Sequence, residues 1–99
     1  MTAVHAKDAK RSRPPVTEQE DWDSLLRPWL DEATDSLDVA GVDLDVDRVH
    51  HMTGVVADGV QRAMAPISAF LVGAAVARGA TLEDACRAVE ETIRSRTRP

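Results

Sequence analysis

From Ala63 to Ala77 the chain runs through fifteen residues, AMAPISAFLVGAAVA, without a charge, although 12 of its 99 residues are Lys or Arg and 17 are Asp or Glu. The run falls short of the roughly 20 apolar residues that a membrane-spanning helix needs. Pro66 and Gly73 interrupt it further. The segment therefore predicts the buried central helix of a small soluble bundle. A helix that is apolar nearly all round needs neighbours on every side.

Those neighbours are legible on either side of the run. Thr17 with Glu20 has the spacing of a capping box, in which hydroxyl and carboxylate each satisfy an orphan amide. A first helix follows, with Trp22, Leu25, Leu26, Trp29, Leu30, Ala33 and Leu37 along one stripe. Pro28 removes a backbone donor and crowds the preceding turn, which predicts a kink or restart near Arg27. Trp22 and Trp29 share a face unless that break shifts the register. Asp45 is the expected N-cap of a second helix from about Val46 to Met64, with Val49, Met52, Val56, Val60 and Ala63 as its stripe. Gly54 and Gly59 each weaken it by about 1 kcal/mol relative to Ala. Pro66 sits without cost in the first turn of the third helix, and Gly79 closes that helix. Thr81 with Asp84 opens a fourth, whose stripe is Leu82, Cys86, Val89 and Ile93. No stretch alternates as a strand does. The expected fold is all-α, an antiparallel bundle of about four helices over residues 17–93. A disordered basic tail over residues 1–16, closed by Pro14-Pro15, precedes it, and a basic C-terminal tail over residues 94–99 follows.

Charge is distributed unevenly. Residues 1–16 carry four basic side chains against Asp8, residues 92–99 carry three arginines, and residues 17–91 hold five arginines against sixteen acids, a net of −11. Phosphate neutralisation supplies most of the affinity for nucleic acid, so this acidic centre argues against a nucleic-acid binder, a helix-turn-helix included. Cys86 is the only cysteine, which rules out an intrachain disulfide and a cysteine-cluster zinc site. The opening MTAVHAKDAKRSRPP lacks the apolar core of a signal peptide, and a cytosolic protein is expected.

Candidate chemistry is sparse. Asp43, Asp45 and Asp47 alternate as in a calcium-binding loop, but the sixth and twelfth positions of such a loop are Arg48 and Gly54 here, so the acids read as caps at the positive end of a helix. His50 and His51 are adjacent, and their side chains diverge by about 100° on a helix, which leaves no shared metal. Asp47 and His51, and Asp58 and Arg62, are spaced to pair. Cys86 lies on an apolar stripe and reads as a core residue. No serine has a histidine and acid at a recognisable spacing, and no glycine-rich loop could cradle a phosphate. The expectation is a non-catalytic protein without cofactor or metal. Two patches remain. Arg62 with Ser68 forms a candidate anion site, because Ser68 falls in the expected first turn of the third helix, where free amides face outward. Ala69, Gly73 and Ala77 form a flat strip on the same helix, suited to internal packing or to contact with a second copy or a partner. Trp29, if exposed, would join that contact surface.

The stretch VADGVQRAMAPISAFLVGAAVARG resembles a small helical domain common in actinobacteria. Its pattern begins with a tryptophan-containing helix and continues through a Gly-Val pair, an Arg and an Ala-Pro-Leu-Thr type of start to a Phe-Leu-Val-Gly helix. Trp29 and Leu30, Gly59 and Val60, Arg62, Ala65 to Ser68, and Phe70 to Gly73 stand in those places, over about residues 22–91. Asp58 stands where the pattern has histidine, and Ala63 where it has proline. Domains of this kind often lie beside, or are fused to, a nucleotidyltransferase similar to the molybdenum-cofactor guanylyltransferase. The resemblance implies an accessory or regulatory role in molybdopterin cofactor maturation, with that enzyme or a second copy of the domain as partner, and no activity of its own.

Overall fold

A computed structural model describes residues 14–97. It contains four helices and, among the described residues, no strand. Most of the basic tail expected over residues 1–16 lies outside the described residues. Val16 to Glu18 already form a single 3-10 turn.

The chain divides into two units, one up to Val42 and one from Asp43 onward. In the first, a wide π-type turn spans Trp22–Leu26 and helix α1 spans Arg27–Ser36. The restart expected at Arg27 is found there, with Pro28 in the first turn of α1, where its missing amide deprives no carbonyl. The Leu26 amide donates to the Asp21 carbonyl, a bond one residue longer than in an α-helix. That extra residue shifts the register. Trp22 is half-buried, whereas Trp29 is 65% exposed. The expected capping box is replaced by the 3-10 turn, whose N-cap is Pro15. Two residues after α1, Asp38 turns the chain with φ 60°, a left-handed conformation that Asp tolerates.

The second unit holds α2 (Val46–Gly59), α3 (Met64–Ala77) and α4 (Leu82–Thr97). Asp45 caps α2, its carboxylate accepting from the Arg48 amide at 3.1 Å. The helix stops at Gly59, short of the expected Met64, and residues 60–63 form the turn into α3. Gly79 leaves α3 with φ 112°, where only glycine is comfortable, and Thr81 caps α4 by accepting from the Asp84 amide. Helix α4 runs on to Thr97, so Arg94 and Arg96 belong to a helix rather than to a tail.

Met52 and Val56 of α2, Val72 of α3, and Ala85, Cys86 and Ile93 of α4 form the core, with Val55, Ala75, Val76, Leu82 and Val89 packed against it. The fourth-helix stripe read from sequence is thus the side that α4 buries. Helices α2 and α4 run in the same direction. Arg48 near the start of α2 reaches Glu83 and Glu90, while Gly59 at its end abuts Ile93. Two short turns return α3 between them, antiparallel to both.

The main correction concerns α3. It buries only Ser68 and Val72, and Met64, Ile67, Phe70 and Leu71 are exposed, Phe70 at 75%. The strip Ala69, Gly73 and Ala77 does not pack internally. Ala69 is half-buried, Gly73 and Ala77 are exposed, and a Cβ at Gly73 would meet nothing within 4 Å. Helix α3 covers the core with one side and presents the other to solvent.

Candidate interaction site

Arg48 lies four residues before Met52 and eight before Val56, on the stripe that α2 buries. Its stem follows that stripe and its guanidinium emerges at the edge, against α4. Glu83 and Glu90 flank Cys86 on α4 at spacings of three and four, so both carboxylates meet it there. Arg48 Nη1 and Nη2 donate to the two Glu90 oxygens at 2.7 and 2.8 Å, and Nε donates to Glu83 at 2.7 Å. The Arg48 and Glu90 side chains are only 18% and 10% exposed. The fork holds Glu90 below the usual carboxylate range, despite the opposing effect of burial, and the two carboxylates raise the pKa of Arg48. His51 Nε2 stands 4.0 Å from Glu90. Arg87 joins from α4 at 3.3 Å from Glu83.

This clasp is structural. Its donors already face carboxylates, which leaves no geometry for capturing an anion. Cys86 beside it is fully buried, and burial raises its thiol pKa, the opposite of what a nucleophile needs. No three His, Cys, Asp or Glu side chains among the described residues are grouped to hold a metal ion. No described helix is long and apolar enough to cross a membrane.

The expected anion site is not assembled as such. Helix α3 starts at Met64, which places Ser68 beyond its first turn, and the Ser68 hydroxyl is buried and donates to the Ala65 carbonyl at 2.6 Å. Arg62 is exposed in the turn between α2 and α3. Its guanidinium has no partner among the described residues, Asp58 included.

What the structure assembles instead is apolar. Val56, Val60, Met64, Ile67, Ser68, Leu71, Val89, Thr92 and Ile93 line an open groove with a cavity volume of about 130 Å³ where α2, α3 and α4 meet. Around α3 from this groove, Ile67, Phe70, Ala74 and Ala77 continue as an exposed face, and no charge stands between Arg62 and Arg78. Monomeric proteins seldom leave such contiguous apolar surface in water without a use for it. The uncharged run was legible in sequence. That half of it faces outward was not, because a uniformly apolar helix has no periodicity to say which side is buried. The Arg48 clasp was missed, although Glu90 interrupts the Cys86 to Ile93 stripe and Arg48 is the only basic residue between Arg27 and Arg62.

Fold and surface together define a small all-helical domain with an exposed apolar face on α3. The chain belongs to the family described as "Domain of unknown function (DUF6457)", whose model matches residues 21–99. No curated protein and no solved structure matches it.

Proposed function

We propose that this chain is a non-catalytic, cytosolic protein-interaction domain that docks on a partner through the exposed face of α3. The observation that carries the reading is the solvent exposure of Ile67, Phe70 and Leu71 on a helix without a single charge. An aromatic anchor surrounded by small residues suits the centre of an interface. The partner is a nucleotidyltransferase similar to the molybdenum-cofactor guanylyltransferase, and the domain assists or regulates it in molybdopterin biosynthesis. That part rests on the resemblance of the Gly59 to Gly73 stretch to actinobacterial domains found beside such enzymes.

The test is a titration of the chain against that nucleotidyltransferase from the same genome. Phe70→Asp is expected to weaken binding by roughly thirtyfold or more, as loss of a central aromatic anchor does. Unchanged binding by Phe70→Asp would remove α3 from the interface, and no binding by either form would remove this partner. A second reading, an anionic nucleotide or pterin phosphate near Arg62 and Ser68, is favoured by the unpartnered Arg62 guanidinium. Thermal shift with nucleotides tests it, and a shift that Arg62→Ala abolishes would support it.

A further inference from the structure

We draw no further inference here: the strongest candidate, the apolar groove that Val60, Met64, Leu71 and Ile93 line where α2, α3 and α4 meet, carries nothing because nothing in the structure shows what covers it.

Discussion

Removing the Arg48 guanidinium leaves Glu90 as a nearly buried carboxylate with its two principal donors gone. Breaking one side of a buried ion pair costs about 3–5 kcal/mol, because the remaining charge keeps its desolvation penalty. Both side chains retain a margin of solvent contact, which sets the expectation for Arg48→Ala at the low end, about 3 kcal/mol. Glu83 is half exposed and adds little. For a domain of this size 1 kcal/mol moves the melting temperature by about 4–8 °C, so Tm should fall by roughly 12–24 °C at neutral pH. The loss depends on pH. Glu90 titrates below its unfolded value, so the clasp's contribution is complete above the ordinary carboxylate range and disappears as pH falls through the depressed folded value. At strongly acid pH, below the depressed folded value, the carboxylate is protonated, and the difference between wild type and Arg48→Ala should shrink to about 1 kcal/mol. Thermal melts by circular dichroism at both pH values measure this. Arg48→Met combined with Glu90→Leu should recover most of the neutral-pH loss, since neither charge is then left alone. A difference that is the same at neutral and acid pH, or a neutral-pH loss below about 1 kcal/mol, refutes the clasp.

Three further outcomes follow from the packing. Gly59→Ala puts a Cβ into Ile93 Cγ2 and should cost about 1–3 kcal/mol, whereas Gly54→Ala, with nothing within 4 Å, should gain up to about 1 kcal/mol; chemical denaturation of the pair separates them. Gly73→Leu meets open space, so its unfolding free energy should stay within about 0.5 kcal/mol of wild type or rise slightly, and a loss of more than 1 kcal/mol would mean that α3 is covered there. The Cys86 thiol should resist a thiol reagent such as dithionitrobenzoate in the folded chain and react promptly in denaturant, because it is fully buried with its pKa raised by desolvation; fast labelling under native conditions would show that α4 detaches.

Local rules were written in the sequence. Asp45 and Thr81 cap helices because a short oxygen-bearing side chain can reach the free amides of a first turn wherever the chain lies. Pro28 restarts a helix and Gly79 ends one for backbone reasons that need no neighbour. The stripe Leu82, Cys86, Val89 and Ile93 named the buried side of α4, since a helix with one apolar face has one way to turn. Helix α3 had no such contrast. Its composition read as burial all round, and only the tertiary arrangement, with α2 and α4 against one side, decided that Ser68 and Val72 go in while Ile67, Phe70 and Leu71 stay out. The Ser68 hydroxyl donates within its own helix to Ala65, and Arg62 has no partner among the described residues. The tertiary arrangement also joined Arg48 to Glu90 across 42 residues of chain, an ion pair that no local pattern encodes, because its partners become neighbours only when α2 and α4 lie side by side.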